Sequence, residues 1–143
     1  MVIVLGVDDS ANSEIAARRA VSLGVALDAE VHAVFALHMS STMVTVMGTV
    51  PNSLTEFALE ERRAVWDRIR PILDASGAVV KQIDTDGYPP DVLAQYAEDV
   101  GATMIVVGSR GRGGIASLVL GSTSHRLTHI AHCDVLVARE REE

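Results

Sequence analysis

The sequence predicts an α/β protein: a single three-layer, doubly wound domain in which a five-stranded parallel sheet is covered by helices on both faces. Three observations predict it. Short apolar runs alternate with helix-spaced patterns along the whole chain, which is the signature of strands joined by crossover helices. Hydrophobic residues make up 48% of the chain but aromatic ones only 3%, so Val, Ala, Leu and Ile supply nearly all of the apolar content. Such residues suit strands buried on both faces, whereas antiparallel sandwiches carry more aromatic alternation. The length of 143 residues fits one domain, residues 1–143, large enough to fold without a disulfide or a metal.

The elements follow in order. Residues 2–7 are an apolar run halted by Asp8-Asp9-Ser10, the pattern of a buried strand. Over residues 13–27, Ala16, Ala20, Leu23 and Leu27 recur at helical spacing with Arg18, Arg19 and Ser22 between them, which predicts a surface helix with one buried face. Residues 31–37 form a second strand. Residues 38–52 mix Met, Ser, Thr, Gly and Pro without period and predict a loop. Ser53-Leu54-Thr55-Glu56 has the form of a capping box at the start of a helix carrying Ala58, Val65, Ile69 and Ile72, with Pro71 kinking its last turn. Residues 79–84 read as an edge strand because Lys81 and Gln82 interrupt it. Pro89-Pro90-Asp91 opens a helix that Gly101 ends. A strand at 104–107, a Gly-rich loop, a helix at 122–131 and a strand at 135–138 complete the chain.

Charge and cysteine content narrow the function. A formal net charge of −7 argues against nucleic acid as a partner, although a locally basic loop can still hold a small phosphorylated ligand. The one cysteine, Cys133, excludes an internal disulfide and a cysteine zinc cluster. No apolar run approaches the roughly 20 residues needed to span a bilayer, so no membrane role is expected. The opening Val2-Ile3-Val4-Leu5 lacks a basic region and a cleavage site, so a cytoplasmic location is expected.

Chemistry concentrates in Gly108-Ser109-Arg110-Gly111-Arg112-Gly113-Gly114, directly after an apolar strand, and in Gly121-Ser122-Thr123-Ser124, which opens the next helix. Glycines let main-chain N–H groups approach an anion, and a helix start presents unpaired N–H groups with a positive dipole end. Ser122, Thr123 and Ser124 offer hydroxyl donors, and Arg110 and Arg112 add positive charge. Phosphate binding follows; a plain connecting loop is the alternative. The segment is neither a Walker A loop, since no Lys-Ser or Lys-Thr pair follows the glycines, nor a dinucleotide fingerprint, which follows a first strand.

The spacing Gly108-x2-Gly111-x9-Gly121-Ser122 resembles the nucleotide-binding signature of the universal stress protein family. The opening Gly6-Val7-Asp8-Asp9-Ser10, the Gly87-Tyr88-Pro89 turn and the closing Asp134-Val135-Leu136-Val137 extend the resemblance over the whole chain. It implies strand order 3-2-1-4-5, as in adenine nucleotide alpha hydrolase-like folds, an ATP site and a homodimer. In that order ligands sit in the crevice between strands 1 and 4. By the resemblance, Asp8 would accept from the ribose or adenine end, Val7 and Ala36 would flank the base, and Val107 would line the pocket beside them. Gly108, Arg110 and Gly111 with Gly121, Ser122, Thr123 and Ser124 would surround the phosphates. ATP is the expected ligand, with ADP and AMP as alternatives and Mg2+ or Mn2+ accompanying the phosphates. The low aromatic content predicts a base pocket of Val and Ala with no stacking ring. Two departures stand out: Asp9 where many members have Gly, adding negative charge at the crevice mouth, and Asp134 where many have Pro.

The implied function is a nucleotide-dependent stress-response regulator or sensor with slow or no hydrolysis. An ATP hydrolase or phosphotransferase using the same loop is the alternative, and a receiver-like phosphorylation switch built on Asp8-Asp9 with Asp84 or Asp86 is a third reading. No catalytic constellation is evident. His125, His129 and His132 share a helical stripe that reads as a solvated face rather than a metal site. His32 and His38 read as packing or surface residues, and Cys133 as a structural thiol. The strand of Val135, Leu136, Val137 and Ala138 would lie at a sheet edge without protective Lys or Pro, which predicts two-fold pairing with a second copy.

Overall fold

The computed structural model describes residues 1–50, 52–110 and 120–141. Five strands, β1 (Val2–Val7), β2 (Glu30–Leu37), β3 (Val80–Asp86), β4 (Met104–Gly108) and β5 (Asp134–Ala138), pair in parallel in the order β3-β2-β1-β4-β5. This is the predicted order. Five helices connect them: α1 (Ala11–Leu27), α2 (Ser41–Met47), α3 (Ser53–Asp74), α4 (Pro89–Asp99) and α5 (Ser122–Ile130).

The pleat of the strands divides the core in two. Ile3, Leu5, Val31, Ala33 and Val106 point to one face, where Ala16, Ala17 and Ala20 of α1 and Val65, Trp66 and Ile69 of α3 pack on them. Val4, Val34, Ile105 and Val107 point to the other, beneath Leu93 and Ala97 of α4 and Leu127 of α5. The alanines of α1 are needed because that helix covers both β1 and β4 at the centre of the sheet. A helix with a small-residue face approaches a sheet closely and leaves no void. At Gly24 the helix also comes close to β2: an added Cβ would lie 2.7 Å from a Val31 methyl.

Three local expectations are corrected. Residues 38–52 are not all loop, since α2 lies within them, capped by Ser40, whose side chain accepts from the Met43 N–H. Its seven residues bury no side chain, so no apolar period marks it. Ser53 is not an N-cap. Asn52 takes that position in a left-handed conformation (φ 65°), and the Ser53 hydroxyl donates to the Met47 and Val50 carbonyls, tying α2 to α3. The helix at 122–131 ends at Ile130. β3 is an edge strand, as Lys81 and Gln82 imply. Among the described residues no helix is long and apolar enough to cross a membrane.

Candidate functional site

Between α1 and the β3–α4 turn the chain switches sides of the sheet. β1 feeds α1 and then β2, while the connection from β3 returns through α4 to β4 on the other flank of β1. The carboxyl ends of β1 and β4 therefore part, leaving a crevice above them. A cavity of about 700 Å³ occupies it.

Ten residues singled out in the sequence line this cavity: Val7, Asp8, Ala36, Val107, Gly108, Arg110, Gly121, Ser122, Thr123 and Ser124. Gly111, like Arg112, Gly113 and Gly114, lies outside the described residues. The two ends of the Gly-rich segment are brought together at Ser109. Its N–H donates to the Ala138 carbonyl (3.0 Å), and its own carbonyl accepts from the Gly121 N–H (2.6 Å) and the Ser124 hydroxyl (3.2 Å). Gly108 and the start of α5, well separated in the chain, are held side by side through this clasp.

Several polar groups at the cavity have a defined geometry. Gly121 is the N-cap of α5 and has no side chain to occupy the first N–H groups of the helix, while its carbonyl accepts from the His125 N–H at 2.9 Å. The N–H groups of Ser122, Thr123 and Ser124 are thereby the helix's donor end. Ser124 is buried and its hydroxyl bonds the Ser109 and Gly121 carbonyls. That hydroxyl serves the clasp, and Ser122 and Thr123 line the cavity beside it. Across the crevice, the Asp8 N–H donates to the Ser13 hydroxyl at 2.9 Å and the Asp8 carboxylate accepts from the Ser10 hydroxyl. Ser10 also caps α1 through the Ser13 N–H. The Asp8 carboxylate is thus held at the end of β1.

Asp9 differs from expectation. Its carboxylate pairs with the Arg68 guanidinium of α3 at 2.9 Å, which Glu14 shares at 3.4 Å, so its charge is partly offset. The bond that Arg68 donates to Asp9, offset in part by desolvation, raises the Arg68 pKa above its ordinary value.

Lining residues that were not predicted as part of the site include Phe35, His38, Met43, Phe57, Glu61 and Pro89. Phe35, Phe57 and His38 bring rings to a pocket expected to have none. Met43 and Phe57 come from α2 and α3, elements whose position over the sheet is set by long-range packing. The proline of the Gly87-Tyr88-Pro89 turn was the one available signal.

The remaining candidates fall elsewhere. Asp84 accepts from Trp66 Nε1 at 2.8 Å and Asp86 pairs with Arg62 at 3.1 Å, both on edge strand β3. β2 separates them from Asp8, whereas a receiver's order 2-1-3-4-5 sets strand 3 beside strand 1. His32 is buried with Nδ1 2.8 Å from the Tyr96 hydroxyl and Nε2 3.1 Å from Glu30. That contact and Lys81 hold the Glu30 carboxyl below its usual value. The His125 and His129 rings meet edge-on at 4.9 Å, and His132 faces Glu98 at 3.7 Å. Among the described residues no group of three or more His, Cys, Asp or Glu is arranged to hold a metal. Cys133 is half-buried; burial, and then Asp134, push its thiol pKa up, away from the reactive thiolate.

Comparison with known proteins agrees with this architecture. Residues 1–139 match the model of the universal stress protein family. Universal stress protein MJ0531 of Methanocaldococcus jannaschii is 28% identical over 138 residues, covering 96% of this chain and 81% of that protein. Universal stress protein Rv2623 of Mycobacterium tuberculosis is 34% identical over 143 residues, and there the chain spans 45% of the relative's length. Among solved structures, that of MJ0577 superposes with a TM-score of 0.80 at 24% identity, over 99% of this chain and 97% of the other. A universal stress protein from Archaeoglobus fulgidus in complex with dAMP gives 0.73 at 21% identity, over 97% and 98%. A universal stress protein in complex with cAMP gives 0.71 at 24%, over 99% and 98%.

Proposed function

Since the chain belongs to the universal stress protein family, we propose that it binds an adenine nucleotide, ATP foremost, in the β1/β4 crevice and acts as a nucleotide-dependent regulator or sensor. One observation carries the reading: the uncapped start of α5 and the end of β4 form one wall of a single cavity whose other wall holds Asp8. A polyanion and a neutral ribose-base unit need those two walls respectively. The phosphates would lie against Gly108, Arg110, Gly121, Ser122 and Thr123 and the Ser124 N–H, with Gly111 joining them. Asp8 would accept from ribose hydroxyls, and Val7, Ala36 and Val107 would pack on the nucleoside. The dAMP and cAMP complexes of related proteins support the adenine class. The donor set fits Mg2+ or Mn2+ carried in with the phosphates, because the Ser122 and Thr123 hydroxyls can complete a shell made mostly of phosphate and water oxygens.

Turnover is expected to be slow or absent. The cavity's donors hold phosphate rather than activate water. The Glu61 carboxylate lines the cavity and is the one observation favouring an ATP hydrolase. Turnover on the order of 1 per second with Mg2+ would decide for that alternative.

A calorimetric panel of ATP, ADP, AMP and cAMP tests the proposal, with Gly121→Asp as control. Gly121 has an extended backbone (φ −73°, ψ 170°) that any residue adopts, and Asp is a favoured N-cap. The variant is expected to keep or raise its melting temperature while its carboxylate takes the α5 N–H groups and repels phosphate, weakening ATP binding about 100-fold or more. Equal ATP affinity in both proteins, or no nucleotide bound by the wild type, overturns the assignment.

A homodimer through β5 belongs to the same proposal. β5 lies at the sheet edge, and Val135, Leu136 and Val137 are only half-buried. Among the described residues it pairs only with β4, so its outer edge can pair with a second copy about a two-fold axis.

A further inference from the structure

We infer that His38 packs its imidazole against the nucleobase of the bound nucleotide and gives the cavity its preference for a nucleotide over a bare phosphate chain, an inference that rests on the nucleotide reading above. His38 follows the last residue of β2 and lines the cavity while its residue surface is exposed. β2 and β4 flank β1 on opposite sides. With neighbouring strands about 4.8 Å apart, the end of β2 lies about 10 Å across the sheet from β4 and the phosphate wall. That places His38 at the nucleoside end of the cavity.

The ring is also supported from behind. The Leu37 carbonyl accepts from the Gly87 N–H at 2.8 Å, which pins the β3–α4 turn to the end of β2. Gly87 takes φ 133°, a conformation side chains rarely adopt, so the turn is specific to glycine. The next residue, Tyr88, stands edge-on to His38 with ring centroids 5.3 Å apart and planes at 61°. Arg126 of α5 lies 5.9 Å from the centre of the Tyr88 ring and is itself fixed by Asp91 at 2.7 Å. An exposed imidazole backed by a tyrosine that is held in turn by an ion pair is preorganised to present its ring to a planar ligand. Val7, Ala36 and Val107 give the base apolar burial.

Calorimetry of wild type, His38→Ala and His38→Phe with ATP and with inorganic tripolyphosphate tests the inference. His38→Ala is expected to weaken ATP about fivefold to tenfold, the range of a lost base–ring contact. Its tripolyphosphate affinity should stay within about twofold of wild type, and His38→Phe should keep ATP within about threefold. Unchanged ATP affinity in His38→Ala, or equal weakening of both ligands, overturns the role of His38 and leaves the nucleotide site standing. Failure of His38→Phe to retain ATP overturns the ring contact. Binding of ATP by none of the three proteins overturns the nucleotide reading and this inference together.

Discussion

Gly108 and Gly121 share a sequence motif but owe their identities to different physics. At Gly108 an added Cβ would lie 2.8 Å from the Asn12 carbonyl oxygen and 2.9 Å from its carbonyl carbon. These are main-chain atoms of the first turn of α1 and cannot swing aside. Gly108→Ala is therefore expected to destabilise the fold by about 1–3 kcal/mol, read as a lower urea midpoint with unchanged slope, independently of any ligand. An unchanged midpoint would mean that α1 shifts freely. The pattern of glycines was legible in the sequence, but this division of labour was not, because the Asn12 contact joins β4 to a helix far away in the chain. Asp9 teaches the same lesson. Its charge was visible, whereas Arg68, which partly offsets it, belongs to another helix and carries no local sign of the pairing.

Elements were legible where burial imposes a period and obscure where it does not. β1 and β4 are uninterrupted apolar runs, and α4 is bracketed by prolines and a glycine at φ 63°, so all three were read correctly to within a residue or two. α2 escaped because it buries nothing, and the start of α3 was misassigned because Ser53 spends its hydroxyl on α2 rather than on its own helix. Phe57 and Met43 reach the cavity from these two helices, so the misread stretch is also the one that hid part of the site. β5 bears the element-scale prediction. Lys in place of Val137, whose main chain pairs with Val107, sets a charge on a half-buried edge. Sedimentation at micromolar concentration is expected to show a dimer for the wild type and a monomer for Val137→Lys. A wild-type monomer, or a variant of unchanged mass, would remove β5 as the interface.

At the scale of the molecule, alternation of apolar runs and amphipathic stretches was enough to predict the layered parallel sheet, since a parallel strand pair requires a crossover and a crossover helix requires a buried face. Strand order came from the resemblance, as no local pattern says which strand neighbours which. Because the proposed ligand contacts β1, β2, β4 and α5 together, its binding energy should be felt by the entire domain. At 100 times its dissociation constant, ATP is expected to add about 2.7 kcal/mol to stability, a rise of about 10 °C in melting temperature for a chain of this size. Scanning calorimetry checks this, and a shift below about 2 °C at that saturation would show that the ligand binds the unfolded chain as well or contacts only a frayed corner.

The strand order also governs how the chain can acquire its structure during synthesis. β1 is the middle strand of the sheet, yet its two partners emerge at very different times: β2 soon after it, β4 only once α2, α3, β3 and α4 have been made. Until β4 arrives, one edge of β1 and the alanine face of α1 that spans both strands stay uncovered. A chain made only that far has three strands with which to build a sheet, and one margin of it is left open. Closure of the sheet and creation of the crevice are then a single late event, since the strand that covers the margin is the one whose far end supplies Gly108.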